Sequence, residues 1–119
     1  MKEELAKPFL EATKLQNAGQ LESAKQLLLE LAEKDSQSTR ILAALGLVCY
    51  ETRAWNEAVT VFKRAIELAP ALEAVSLGLF HSLWKLERYV EALEEAKRSQ
   101  SIGDSEDYLE IIKEVNEKW

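Results

Sequence analysis

The chain carries one histidine, His81, and one cysteine, Cys49, the side chains most often used for nucleophilic or proton-transfer chemistry near neutral pH. A Cys–His pair needs hydrogen-bond contact and a third group to orient the base. Cys49 instead sits in an apolar stretch at helical spacing, where a thiol reads as a small buried hydrophobe. One His and one Cys fall short of the roughly four convergent ligands that a structural zinc site takes. Carboxylate pairs such as Glu94 and Glu95 are expected on exposed faces without a pocket. No glycine-rich phosphate loop, HExxH or GxSxG pattern occurs, so the familiar frames for phosphate, zinc-hydrolase and serine-hydrolase chemistry are missing. The residues point to a non-enzymatic chain with no metal and no cofactor.

Composition narrows what such a chain can meet. With 119 residues and 47% hydrophobic content, it has enough apolar material for the continuous core of one domain. A net charge of −6 argues against nucleic acid, because neutralising phosphates needs clustered Lys and Arg. The longest apolar runs, such as Leu27 to Leu29, are too short to cross a bilayer. Charges throughout MKEELAKPFLEA leave no secretory h-region. A lone cysteine cannot form an internal disulfide, and the expected compartment is the cytoplasm.

The elements that must position any functional side chain are helices. Ala, Leu, Glu and Lys dominate, and apolar residues recur at helical rather than alternating spacing,. Seven segments are expected, over about 7–18, 21–34, 39–52, 56–68, 72–86, 89–100 and from 105 to the end. Gly19 suits a left-handed turn after the first. The Asp35 to Ser38 loop offers N-caps for the third, Asn56 one for the fourth, and Asp104 or Ser105 one for the seventh. On the seventh, Tyr108, Leu109, Ile112 and Val115 are expected to face inward.

The stretch Ile41 to Pro70 displays the pattern most fully: Leu42-x2-Leu45-Gly46-x2-Cys49, then Ala58-x3-Phe62, Ala65 and Pro70. Its neighbours repeat it at a step of 34 residues with no gap. Ala24, Ala58 and Ala92 correspond, as do Leu21, Trp55 and Tyr89, Leu28, Phe62 and Ala96, and Leu15, Cys49 and Leu83. A period of this length marks stacked helical hairpins. The pattern resembles the tetratricopeptide repeat family over residues 5 to 104. The resemblance implies an all-α fold, a right-handed α-α superhelix (solenoid) of three helix-turn-helix repeats plus a terminal helix. The expected organisation is a single domain over 1–119, with repeats about 5–37, 38–71 and 72–104 and a capping helix over 105–119. One repeat cannot bury its own apolar face, which is why three stack and a polar cap follows.

In that family the first helix of each repeat lines a concave groove. The resemblance therefore implies a groove presenting Phe9, Thr13, Gln16 and Asn17, then Arg40, Ala43, Leu47, Tyr50 and Glu51, then Ala74, Leu77, His81, Trp84 and Lys85. Thr13, Leu47 and His81 would form one row across it, and Gln16, Tyr50 and Trp84 the next. Aromatic and arginine side chains commonly anchor interfaces. The expected partner-binding set is thus Phe9, Thr13, Arg40, Leu47, Tyr50, His81, Trp84 and Lys85, with a protein or peptide as partner. Tyr50 and Trp84 have a competing role in packing, and Trp55 is expected in the core. The Lys and Asn clamp by which some members hold a terminal carboxylate is not matched: Ala44 and Ala74 stand at clamp positions.

One departure concerns the third repeat, where Phe80 fills the slot of Gly46, Gly78 lies two residues earlier, and Ala96 replaces the bulky Phe62. Two other roles are compatible with the residues. Glu91, Glu94, Glu95, Glu106, Asp107, Glu110, Glu114 and Glu117 make the C-terminal third acidic. That would suit an immunity or chaperone-like protein that neutralises a basic partner. A self-associating scaffold, pairing end to end through the first helix and Trp119 as a weak homo-oligomer, is the third.

Overall fold

The computed structural model describes residues 1–103 and 105–118. The expected cap at Asp104 and the expected sticky end at Trp119 lie outside the described residues. All regular structure among the described residues is helical: α1 (Ala6–Asn17), α2 (Leu21–Lys34), α3 (Thr39–Glu51), α4 (Trp55–Leu68), α5 (Glu73–Lys85), α6 (Tyr89–Ile102) and α7 (Glu106–Lys118), with a 3-10 turn at Glu3–Leu5 ahead of α1. Consecutive helices from α1 to α6 pack side by side, and α3 also touches α1 and α5. The result is a tetratricopeptide-like superhelix, 46 × 26 × 20 Å.

The helix boundaries follow from local chemistry. Pro8 falls in the first turn of α1, where a missing N–H costs no helical bond. After α1 the chain turns through Gly19 at φ +78°, and the Gln20 N–H donates to the Leu15 carbonyl at 2.9 Å, closing a Schellman turn. The same turn recurs after α3 and α5, where Arg53 and Glu87 hold φ of 65° and 61°. Ser38 is the cap chosen from its loop, its Oγ accepting the Ile41 N–H at 3.2 Å. Asn56 is not a cap. The helix begins one residue earlier, at Trp55, behind Ala54, which has no side-chain acceptor. Ser105 caps α7 by accepting the Tyr108 N–H at 3.3 Å.

The core runs along the stack through Leu28, Ile41, Leu45, Val48, Cys49, Phe62, Val75, Leu79 and Leu83. Ala24, Ala58 and Ala92 are fully buried, as expected where paired helices cross closely. Trp55 is half-buried rather than core, with the Lys85 ammonium 5.9 Å from its ring centroid. On α7 the inward face is Tyr108 with half-buried Ile111, Ile112 and Val115. Leu109 points out instead, 52% exposed.

Candidate functional site

A groove floor is built from one aromatic ring and two glycines. The ring of Phe62, on α4, lies so close to both α3 and α5 that a Cβ at Gly46 would meet it at 2.6 Å and one at Gly78 at 2.4 Å. Any side chain at either position would collide with that ring, so only hydrogen lets α3 and α5 both close on it. Over this floor opens a cavity of about 600 Å³, within the size range of ligand pockets. Its walls are Gln16 of α1, Ala43, Ala44, Leu47 and Tyr50 of α3, and Ala74, Leu77 and His81 of α5. The first helix of each hairpin therefore lines one shared hollow. Leu47, on its wall, keeps 47% of its surface exposed and adds to the apolar lining.

The expected contact residues divide into three groups. Leu47, Tyr50 and His81 line the cavity together. His81 has its pKa held below the usual imidazole value, first by desolvation against the groove wall and then by the Lys85 ammonium. Phe9, Thr13 and Arg40 lie outside that lining. The Thr13 hydroxyl donates to the Phe9 carbonyl at 3.1 Å on its own helix, and the Arg40 guanidinium lies 5.9 Å from the Phe9 ring centroid. Trp84 and Lys85 belong to a third environment: Trp84 stacks on Phe80 at 5.5 Å and meets Tyr89 edge-on at 4.6 Å. Lys85 reaches over Trp55. The expected Gln16–Tyr50–Trp84 row is thus split, with Gln16 and Tyr50 at the cavity and Trp84 in an aromatic stack. The Gln16 amide donates to Glu51 Oε1 at 2.6 Å, tying α1 to α3.

Phe62 and Gly78 are floor residues that the repeat pattern placed elsewhere. Gly78 looked like a displaced copy of Gly46. It stands 34 residues after Ala44, so it continues a row of small residues, and that spacing was the available signal.

Phe80 takes the slot of Gly46 and is buried. Its ring is bracketed by Trp84, by His81 edge-on at 5.5 Å and by Tyr108 edge-on at 5.6 Å. The large residue at 80 and the small Ala96 invert the sizes at 46 and 62. The ring thus fills from α5 in the third hairpin, whereas in the second it fills from α4.

A second polar assembly joins α5, α6 and α7. Glu95, expected on a solvated face, is 8% exposed and turned inward. Arg98 donates to its two oxygens through Nε at 2.8 Å and Nη2 at 2.7 Å, and the Ser76 hydroxyl donates to Oε2, which it shares with Nη2. Because Ser76 has spent its proton, the Tyr108 hydroxyl is the donor in their 2.7 Å contact. Burial pushes the Tyr108 phenol well above its ordinary value. Every member is partnered, which is what makes such a buried set tolerable. Cys49 is buried in the core, and burial likewise pushes its thiol pKa up. Cys49 does not line the cavity that His81 lines. Among the described residues no group of three His, Cys, Asp or Glu could hold a metal ion, and no helix is long and apolar enough to cross a membrane.

No family model matches the sequence, and no curated protein matches it. Solved structures do. The chain is similar to the type III secretion chaperone SycD of Yersinia enterocolitica, solved in complex with a peptide of the translocator YopD. That likeness has a TM-score of 0.83 at 15% identity and covers 98% of this chain and 90% of SycD. A mutant of MamA is similar with a TM-score of 0.78 at 20% identity, over 87% of this chain and 76% of that one. MamA of Desulfovibrio magneticus RS-1 is similar with a TM-score of 0.78 at 22% identity over 86% of this chain. There the chain spans 58% of the solved MamA chain, which runs from residue 41 to its end. At these identities the likeness shows the fold.

Proposed function

We propose that the chain is a non-catalytic, cytoplasmic interaction module, a single tetratricopeptide-type domain that holds an apolar segment of a protein or peptide in its concave groove. The observation that carries this reading is the open apolar cavity floored by Phe62, with Leu47 exposed on its wall. Leaving such a side chain in water forfeits burial worth about 25 cal/mol per Å², and a partner that covers it recovers that free energy. The SycD structure, solved with a translocator peptide, supports the use of this fold for peptides. The test is to screen the labelled chain on an array of short peptides and map the binders by amide chemical shifts. Shifts should centre on Ala43, Leu47, Leu77 and Gly78, and Leu47→Lys should weaken binding at least about tenfold, as loss of a central anchor does. Shifts confined to α6 and α7, with Leu47→Lys binding normally, would reject the groove.

A further inference from the structure

The charges at the groove's two ends are not what the composition leads one to expect. The 34-residue step arranges the groove-facing side of α1, α3 and α5 into rows. Where these helices begin, the row is Ala6, Arg40 and Ala74, so one guanidinium stands between two methyl groups. Where they end, the row is Asn17, Glu51 and Lys85. Arg40 and Lys85 are exposed, and neither forms an ion pair among the described residues. Each instead lies over a ring, Arg40 over Phe9 and Lys85 over Trp55. Glu51 accepts the amide of Gln16. Arg40 thus stands at this end of the groove with a fork of donors left unmatched, although Glu3, Glu4 and Glu73 belong to the neighbouring helix starts.

A guanidinium in this setting suits a carboxylate, which it can meet with two parallel hydrogen bonds. Distance limits where that carboxylate sits. Arg40 and Leu47 are seven residues apart on α3, about 10 Å along the axis at 1.5 Å per residue. An extended peptide advances about 3.3 Å per residue and presents every second side chain to one face. Allowing for the length of the arginine side chain, the acid falls two or four residues from the group that enters the cavity.

We propose that the groove's occupant is an acidic-flanked apolar segment: one bulky anchor seated beside Leu47 and Leu77, and an Asp or Glu two or four residues away paired with Arg40. This rests on the groove reading above and adds the charge and register of the partner. It also sets the groove against a basic partner, which Arg40 repels.

The test uses the full chain and nine-residue peptides on a Ser/Gly background, acetylated and amidated, read by fluorescence polarisation. One probe set carries a Leu anchor with Glu at the second or the fourth position from it, the better binder of the two serving as the Glu probe. Others change that Glu to Gln or Lys, or the anchor to Ser. The Glu probe should bind about two- to fivefold more tightly than the Gln probe, the span for an exposed ion pair. The Lys probe should bind most weakly, and the spread should narrow in about 0.5 M salt. Arg40→Glu, an exposed substitution checked by circular dichroism, should invert the order so that the Lys probe binds best. Equal binding of the Glu and Gln probes, with both lost in Leu47→Lys, overturns this proposal and leaves the groove reading standing. Preference for the Lys probe on the unmodified chain, or an order unmoved by Arg40→Glu, also overturns it. A Gln probe with a free carboxyl end that matches the Glu probe would assign the pairing to a chain terminus and defeat the side-chain assignment. Absence of binding by every probe, or binding indifferent to the anchor, rejects the groove reading itself.

Discussion

Phe62 shows how much one side chain can organise. Its ring is pressed by Gly46 from one side and Gly78 from the other while its edge forms the cavity floor. Gly78→Ala pits two effects against each other: alanine favours a helix interior over glycine by about 1 kcal/mol, whereas overpacking costs about 1–3 kcal/mol. With a contact of 2.4 Å, the overpacking should win, giving a net loss near 1 kcal/mol by urea denaturation and a smaller cavity. Adding Phe62→Leu should restore part of that loss, with a coupling above about 0.5 kcal/mol because the two sites share one space. Strictly additive losses would mean that the ring moves aside freely. Tyr108 makes a different prediction. Its folded-state pKa is raised above the ordinary 10.0, so the folded chain holds this proton more tightly than the unfolded one. Its contribution is complete below pH 10 and is lost as pH rises beyond that. At pH 11 the loss should be about 1.4 kcal/mol, one pKa unit's worth, and Tyr108→Phe should remove this alkaline component. Melting curves of the two proteins at pH 8 and pH 11 decide it; parallel falls would show that Tyr108 ionises without opening the structure.

At the scale of elements, the three hairpins use one corner with three different residues. Gly19, Arg53 and Glu87 occupy the same left-handed position, and the closing hydrogen bonds recur at 2.9, 2.8 and 2.9 Å. Only glycine adopts that conformation without a Cβ penalty. Arg53→Gly and Glu87→Gly should therefore each stabilise the chain by up to about 1 kcal/mol after the entropy gained by the unfolded state is subtracted. The effects should add, since the corners are separate, and thermal melts of the singles and the double check both statements. The corners also show what was legible beforehand. Helix number, helix spans and the 34-residue register could be read because core positions repeat in type: Ala24, Ala58 and Ala92 are small wherever helices cross. Gly19 declared its left-handed corner, while at Arg53 and Glu87 only the break between helices could be read and not its conformation, because a hydrogen-bonded corner can override a local preference. Asn56 misled for the opposite reason, being a good capping residue placed one position inside the helix. The groove helices were legible through the repeat. The floor was not, because the close approach of Gly46 and Gly78 to a single ring is a property of three helices at once. Glu95 escaped for the same reason: the partners that make its burial tolerable, Ser76, Tyr108 and Arg98, come from three helices.

The whole molecule is a stack in which each hairpin leans on its neighbours. Its radius of gyration, 14.8 Å, exceeds the about 13.5 Å expected of a compact chain of this length, as an elongated array should. In such arrays stability is close to a sum of units and interfaces rather than one indivisible quantity. The third hairpin is the place to test this, because its core is held differently. Phe80 joins α5 to Tyr108 of α7, and the set of Ser76, Glu95, Arg98 and Tyr108 ties α5, α6 and α7 together. Phe80→Ala should cost about 3–5 kcal/mol where it acts, a large share of the about 5–15 kcal/mol that holds a domain together. If the stack is quasi-one-dimensional, amide exchange followed by mass spectrometry should rise strongly in α5, α6 and α7 and little in α1 and α2. A uniform rise across all seven helices would show a single cooperative unit instead. The result bears on binding as well, because the groove takes one wall from α3 and the other from α5. Loosening of the third hairpin should weaken peptide binding by raising the fraction of molecules whose second wall is out of place, even though Phe80 does not line the cavity.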